Sequence, residues 1–189
     1  MKRGFTLIEI MVVIVVLGIL AAVALPKLFG QIAKAKASEI PVAAGAYMKL
    51  QDAHLTQKPE VGTWKSIGFT APGGGTTSYF QYSDCLSGDI DLESLDNAIG
   101  LRIASLTGLN DCPAGSLWAV SMSPGNGNSV NYQQIFNSTN CQSLTVTWSM
   151  GDIAECSATS TDDDDDDKDK KDKKEKKEKK EKKEKKEKG

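Results

Sequence analysis

The first third of the chain shows two successive hydrophobic patterns within one predicted helix. Residues 10–25 are apolar without a charge, which approaches the length of a membrane-spanning helix. Apolar side chains then recur near helical spacing beside a polar face, as is typical of an amphipathic helix: Leu28, Ile32, Ala35, Val42, Ala46 and Leu50. The pattern ends before Pro59, so we predict one helix from Phe5 to about Leu55. Its first half is apolar on all faces, and its second half can lie against a sheet.

Two prolines fall within this predicted helix, Pro26 and Pro41. Each removes a backbone donor and crowds the preceding turn. We therefore predict that the helix bends or locally loosens at both positions.

Alternating patterns beyond the helix predict strands. Residues 76–82 are rich in β-forming side chains, and residues 117–123 place Trp118, Val120 and Met122 on one face. Residues 142–150 carry the clearest period-two alternation of the chain and predict a third strand. Between these strands, a short amphipathic helix is predicted by five apolar positions: Leu92, Leu95, Ile99, Ile103 and Leu106. A turn is predicted at residues 124–128, whose sequence is Pro-Gly-Asn-Gly-Asn.

These elements predict an α+β fold in which a long N-terminal helix packs on a small antiparallel sheet domain. We assign residues 5–28 to a membrane and assembly half of the helix and residues 29–56 to its amphipathic half. Residues 57–161 form the predicted globular domain, and residues 162–189 form a low-complexity tail of Asp, Glu and Lys. Such a tail cannot bury enough apolar surface to fold, so we predict disorder there.

The charges do not indicate a dedicated nucleic-acid-binding protein. The net charge is −2, with nine basic and 12 acidic residues before the tail and 14 Lys against 13 acidic residues within it. Neither part has a strong basic excess. The tail has two interpretations: a solvated disordered segment, or a charged brush that touches an anionic surface or nucleic acid.

Four cysteines indicate two disulfides rather than a zinc site. They are Cys85, Cys112, Cys141 and Cys156, with no C-x-x-C pair among them. An even number in a small exported domain favours disulfides and a location outside the cytoplasm. Of the three possible pairings we favour 85–112 and 141–156, because each closes a short local loop.

The N-terminal motif provides the most specific signal. Residues 4–9 read Gly-Phe-Thr-Leu-Ile-Glu behind Lys2 and Arg3, and this stretch resembles the cleavage and methylation motif of type IV pilins and type II secretion pseudopilins. The resemblance implies that a prepilin peptidase cuts between Gly4 and Phe5, removes the leader 1–4 and methylates the new amine of Phe5. It also implies the fold of one long helix followed by antiparallel strands.

Glu9 is a carboxylate at the edge of the apolar run. On insertion scales a charge in hydrocarbon costs roughly 2.5–3.5 kcal/mol, so Glu9 should have a partner. The resemblance implies that this partner is the N-terminal amine of a neighbouring subunit, which would also fix the register of assembly. The alternative is a carboxylate that snorkels near the lipid headgroups.

The start of the chain has a plainer interpretation as a secretory signal peptide. Residues 21–24, Ala-Ala-Val-Ala, mimic a signal cleavage site. However, Glu9 would then lie needlessly inside the apolar region, and the helical pattern continues past the supposed cut. Lys2 and Arg3 favour a cytoplasmic N-terminus. We therefore expect a single-pass inner-membrane precursor that later joins an extracellular filament.

No set of residues indicates catalysis, a cofactor or a metal. His54 has no companion histidine and is expected on a helix surface. An acidic cluster could bind calcium, but its spacing does not match an EF-hand loop and favours a solvated loop: Asp84, Asp89, Asp91, Glu93 and Asp96. We expect a protein that is not an enzyme.

The resulting hypothesis is a structural subunit of a type IV pilus with roles in adhesion or motility. Its expected partners are other copies of the chain in a helical filament, the prepilin peptidase, the inner-membrane assembly platform and the membrane. The first alternative is a type II secretion pseudopilin, although pseudopilins tend to lack disulfides. The second is a monomeric membrane-anchored binding domain that uses the tail.

Overall fold

The computed structural model of the chain describes residues 4–156. The predicted leader falls largely outside this range, and so does the charged tail 162–189 with its predicted disorder.

The long N-terminal helix is confirmed, with one interruption. It comprises α1 (Leu7–Ala37) and α2 (Glu39–Leu55), separated by Ser38. The interruption lies one turn before Pro41, which has no N–H to donate to the carbonyl of Ala37. Ser38, the C-cap of α1, keeps right-handed helical geometry: its N–H donates to the Lys34 carbonyl at 3.0 Å and its hydroxyl to the Ala35 carbonyl at 2.7 Å. Pro26 lies within α1, and the bend predicted there stays a prediction.

The sheet domain follows the helix. Its strands are β1 (Glu60–Val61), β2 (Phe80–Asp84), β3 (Ile90–Asp91), β4 (Ala98–Ser105), β5 (Leu117–Pro124), β6 (Val130–Phe136) and β7 (Ser149–Met150). The main sheet has the strand order β2-β4-β5-β6-β7 and is antiparallel except for the β6–β7 pair. A separate two-stranded ladder joins β1 to β3, and a short helix, α3 (Trp64–Ile67), follows β1.

The main core lies between α2 and one face of the sheet. Ala43 and Ala44 are buried there, and small side chains allow the helix to approach the sheet closely. Tyr47 is fully buried, and its hydroxyl contacts the Met122 sulfur of β5 at 3.7 Å. The opposite face of the sheet has a smaller cluster of Ala119, Ile135 and Ile153, so the C-terminal part of the described chain covers that face.

Polar contacts fix the position of α2. The Tyr82 hydroxyl donates to Glu39 at 2.6 Å, and the Tyr132 hydroxyl donates to Asp52 at 2.8 Å. Burial, followed by these carboxylate acceptors, raises the pKa of both tyrosines. The Asn128 amide, in the turn predicted at 124–128, donates to the Leu55 carbonyl at 2.8 Å and satisfies the last turn of α2. The helix is thus tied to the sheet near both ends of α2.

The predicted amphipathic helix over residues 92–106 is wrong. A 3-10 turn at Leu92–Ser94 leads instead to strand β4. Within β4, burial alternates at Leu101, Ile103 and Ser105, a period-two pattern that the widely spaced leucines concealed. The register of β4 against β5 shifts between Ile99 and Leu101, so a bulge at Gly100 further obscured the alternation.

The predicted strand over residues 142–150 is also wrong, apart from its last two residues in β7. Consecutive turns occupy this segment, with the Leu144 N–H bonded to the Cys141 carbonyl and the Trp148 N–H to the Thr145 carbonyl. Burial therefore follows a spacing of three to four residues: Cys141, Thr145 and Trp148. Thr145 is buried despite its polarity because its hydroxyl accepts the indole N–H of Trp118 at 3.1 Å.

The other two predicted strands agree better with the structure. The strand predicted at 117–123 is confirmed as β5, whereas the one predicted at 76–82 begins later, at Phe80. The Thr77 side chain accepts the Phe80 N–H at 3.1 Å and holds a turn where the strand was expected. Strand β6 was not predicted, because its polar residues Asn131, Gln133 and Gln134 give no clear hydrophobic alternation.

Two disulfides are confirmed, but the favoured pairing is wrong. The structure joins Cys112 to Cys141 and Cys85 to Cys156, across 29 and 71 residues. The β5–β6 hairpin explains the first bond, because it returns the chain after β6 to the start of β5. Loop closure costs rise slowly with length, so the position of each cysteine in the sheet outweighs the shortness of a loop.

We predict that Gly100→Ala destabilises the domain by about 1–3 kcal/mol. A Cβ at this position would overlap the Tyr47 hydroxyl and the Met122 methyl group, both fully buried. Chemical denaturation of the purified subunit, followed by circular dichroism, measures the change.

Gly45→Ala is the matched control. A Cβ at Gly45 meets no atom within 4 Å, and alanine favours a helix over glycine by roughly 0.5–1 kcal/mol. We expect this variant to be as stable as the wild type or slightly more stable. Equal stability of Gly100→Ala and the wild type would contradict the packing described here.

Candidate assembly site on the N-terminal helix

The first two-thirds of α1 carries an apolar surface that the domain does not cover. Every residue from Leu7 to Phe29 is exposed, and burial against the domain begins at Ala33. Val16 in the middle of this stretch is 50% exposed and Leu7 near its start is 84% exposed. By length and composition this helix could cross a membrane. Exposed apolar surface of this extent indicates contact with lipid or with other protein.

A capping box closes the start of this helix. Thr6 is the N-cap, and its hydroxyl accepts the Glu9 N–H at 3.4 Å. The Glu9 carboxylate in turn accepts the Thr6 N–H at 3.2 Å and the Thr6 hydroxyl at 3.0 Å. All three bonds lie at the exposed end of the helix, where a negative charge is also favoured by the helix dipole.

Glu9 therefore has a role within its own subunit in addition to the assembly role that the motif predicts. A carboxylate offers about four acceptor positions, and the Thr6 donors leave some of them free. Thr6 was not predicted as a site residue, although the spacing Thr-x-x-Glu before an apolar run is the recognisable signature of a capping box.

Gly4 and Phe5, the predicted cleavage and methylation residues, lie immediately before the capping box. A Cβ on Gly4 would meet no atom within 4 Å, and Phe5 is 82% exposed. No contact within the described subunit requires glycine at the first position or phenylalanine at the second.

The predicted acidic cluster does not converge on one point. Asp84 accepts the Trp64 N–H at 2.7 Å and the Leu86 N–H at 3.2 Å, and burial, the largest influence, raises its pKa. Asp96 accepts the amide of its neighbour Asn97, and Asp91 and Glu93 are exposed. Within residues 4–156, the group of ligand-type side chains that does converge includes only Asp89 from this cluster, together with His54 and Glu60.

His54 is less exposed than predicted. Its side chain is 11% exposed and lies 3.4 Å from a Glu60 oxygen. The pairing of β1 with β3 brings Glu60 and Asp89 towards the end of α2, and no spacing in the sequence signalled that approach.

Known proteins match the N-terminal region most clearly. The family model described as "Prokaryotic N-terminal methylation motif" matches residues 1–25. Fimbrial protein Q of Moraxella bovis is 36% identical over 94 residues, which cover 46% of this chain and 60% of that protein. The type IV major pilin protein PilA of Myxococcus xanthus is 36% identical over 79 residues, which cover 41% and 36% of the two chains. A fimbrial protein of Neisseria meningitidis serogroup B is 33% identical over 124 residues, which cover 63% and 66%.

The fold and its N-terminal site define a class of protein in which an α+β domain is carried on an uncovered apolar helix. Together with the matched motif and relatives, they show that the chain belongs to the type IV pilin family. The chain spans about 60% of the length of the Moraxella bovis relative and 36% of the Myxococcus xanthus one. Proteins of this family are structural subunits rather than enzymes, in agreement with the sequence analysis.

We predict that Thr6→Ala frays the first turn of α1. Loss of an N-cap side chain costs about 0.5–2 kcal/mol of helix stability, and the Glu9 amide loses its acceptor. Hydrogen exchange of the Glu9 and Ile10 amides, which are bonded to Thr6, should accelerate several-fold in detergent micelles, whereas Thr6→Ser should exchange as the wild type does. Unchanged exchange in Thr6→Ala would show that the capping box does not hold this turn.

Proposed function

We propose that the chain is the structural subunit of a type IV pilus, polymerised through α1. The observation that carries this proposal is the uncovered apolar surface from Leu7 to Phe29 with one carboxylate, Glu9, near its N-terminal end. The relatives support a pilus rather than a pseudopilus, since they are named as pilins and fimbrial proteins. The two disulfides support the same choice.

The subunit is made as a single-pass inner-membrane precursor. Lys2 and Arg3 remain on the cytoplasmic side, and the sheet domain lies outside. A prepilin peptidase cuts between Gly4 and Phe5 and methylates the Phe5 amine. In support, Gly4 has no packing role in the subunit, so its lack of a side chain is explained by the narrow fit of extended backbone in a protease cleft.

Assembly then replaces lipid with copies of the same helix. The apolar side chains of α1 leave the bilayer and pack against neighbouring helices in the filament core. Four small residues along this surface allow close helix approach: Gly18, Ala21, Ala22 and Ala24. The loosening predicted at Pro26 would ease this packing. The inner-membrane assembly platform supplies the subunits to the growing filament.

The charge of Glu9 determines the register of this packing. Cleavage creates an amine on Phe5, and both that cation and the Glu9 anion are costly in hydrocarbon. Pairing the amine of one subunit with Glu9 of its neighbour lowers both costs, whereas docking one step out of register leaves both unpaired. Thr6 holds the carboxylate at the helix end before this pairing, through the two bonds it donates.

We assign adhesion or motility to the filament. The charged tail, with 14 Lys and 13 acidic residues, supplies cations for an anionic surface or nucleic acid. Because its cations and anions nearly balance, this contact would be weaker than that of a basic patch.

We predict that Glu9→Ala and Glu9→Gln both reduce surface filaments at least tenfold. Glutamine can still complete the capping box with Thr6, so Glu9→Gln separates the charge from the cap. Electron microscopy of sheared surface material, with mass spectrometry for this chain, measures filament yield. Normal filaments from Glu9→Gln cells would contradict the charge-pairing role and leave helix capping as the only role of Glu9.

The same mass spectra test the processing step. The wild-type subunit in sheared filaments should begin with N-methylated Phe5. Both Glu9 variants should be cleaved at the same bond in the membrane fraction, because Glu9 acts after cleavage. A wild-type subunit that keeps Met1 and never appears in filaments would support the membrane-anchored monomer instead.

A further inference from the structure

Three side chains of metal-ligand type, from separate segments of the chain, converge at the C-terminal end of α2. His54 comes from the last turn of α2, Glu60 from β1, and Asp89 from the loop before β3. One ligand atom from each lies within 4.8 Å of the other two. The β1–β3 ladder pairs Glu60 with Asp91 and so brings two of the three segments together.

The His54 ring has an unsatisfied nitrogen at this point. Its Nε2 is buried and has no hydrogen-bond partner among the described residues, although a Glu60 oxygen lies 3.4 Å away. A buried polar atom without a partner is unfavourable and uncommon in a folded protein. A cation between the two side chains would satisfy the nitrogen and the carboxylate together.

Asp89 is held in place by hydrogen bonds from Thr63 and Ser66. The Thr63 N–H donates to Oδ1 at 2.8 Å and the Ser66 hydroxyl to Oδ2 at 2.8 Å. Bonds of this kind orient metal ligands and leave lone pairs free for the ion.

Glu60 already attracts a cation. The Lys58 ammonium lies 3.0 Å from its Oε1, the same oxygen that lies near His54. The Lys58 side chain is 61% exposed, so it can leave for solvent at little cost when another cation arrives.

We propose that His54, Glu60 and Asp89 bind a divalent transition-metal ion, for which Zn²⁺ is the probe. Ligands about 2.0–2.2 Å from a tetrahedral zinc lie roughly 3.3–3.6 Å from one another, which includes the 3.4 Å between His54 and Glu60. The imidazole selects this class of ion over Ca²⁺ and Mg²⁺, which prefer oxygen ligands alone. Water completes the coordination. The ion joins the end of α2 to β1 and the β2–β3 loop, and the site revises the sequence-based expectation of no metal.

The test uses the full-length chain in detergent, without a histidine tag and after treatment with chelator. Equilibrium dialysis with elemental analysis measures bound Zn²⁺, and thermal unfolding followed by circular dichroism measures stabilisation. The variants are His54→Gln and Asp89→Asn, and Glu93→Gln is the matched control because it removes an exposed carboxylate elsewhere. All four proteins carry the same tail, so weak binding by tail carboxylates cancels in the comparison.

We expect the wild type and Glu93→Gln to bind one additional equivalent of Zn²⁺ and to unfold at a higher temperature with it. His54→Gln and Asp89→Asn should lose affinity at least tenfold and show no thermal shift, while their metal-free circular dichroism spectra match the wild type. If either variant is misfolded, Glu60→Gln, which removes a partly exposed charge, replaces it. Equal Zn²⁺ binding by all variants, or preference for Ca²⁺ over Zn²⁺ in the wild type, overturns the proposal.

Discussion

The uncovered apolar surface of α1 constrains the rest of the molecule. Seventeen large apolar side chains between Phe5 and Phe29 are exposed in the isolated subunit. Complete burial of one such side chain is worth about 1.5–3 kcal/mol, so together they represent on the order of 20 kcal/mol or more. That exceeds the roughly 5–15 kcal/mol that stabilises an ordinary domain. The subunit therefore needs lipid or protein around α1 at every stage after synthesis.

The N-terminal helix must also remain attached to the sheet domain, and its second half, the end of α1 together with α2, provides this attachment. From Ala33 onwards, small side chains face the sheet, and Tyr47 and Gln51 are fully buried. Gln51 donates to the Tyr47 hydroxyl and to the Gly62 carbonyl, and it accepts the Gly62 N–H, so this buried amide is satisfied. These bonds, the tyrosine–carboxylate pairs and the two disulfides hold the domain together independently of the exposed part of α1. The exposed half can then exchange its surroundings without loss of the domain.

The sequence predicted the fold best where one local pattern decided the structure. The apolar run 10–25 and the amphipathic continuation specified the helix, and Trp118, Val120 and Met122 specified β5. The helix predicted over residues 92–106 is wrong because leucines at helical spacing overlap a true alternation at Leu101 and Ile103. A bulge at Gly100 interrupts that alternation. Residues 142–150 alternate in sequence, but consecutive turns occupy this segment and bury Thr145, whose hydroxyl accepts the indole N–H of Trp118.

Features that depend on distant residues were beyond sequence analysis. The disulfide pairing follows the β5–β6 hairpin, whose second strand was not predicted. The approach of His54 to Glu60 and Asp89 depends on the β1–β3 ladder, two residues long in each strand. In contrast, the capping box of Thr6 and Glu9 is local and follows from spacing alone.

Site-specific photo-crosslinking from Val16 tests the central claim most directly. Val16 lies in the middle of the apolar stretch of α1 and is half exposed in the subunit. A photoreactive side chain there should yield lipid adducts in the membrane fraction and subunit–subunit adducts in sheared surface filaments. Surface material in which Val16 forms no adduct with a second copy would contradict the exchange of lipid for neighbouring helices.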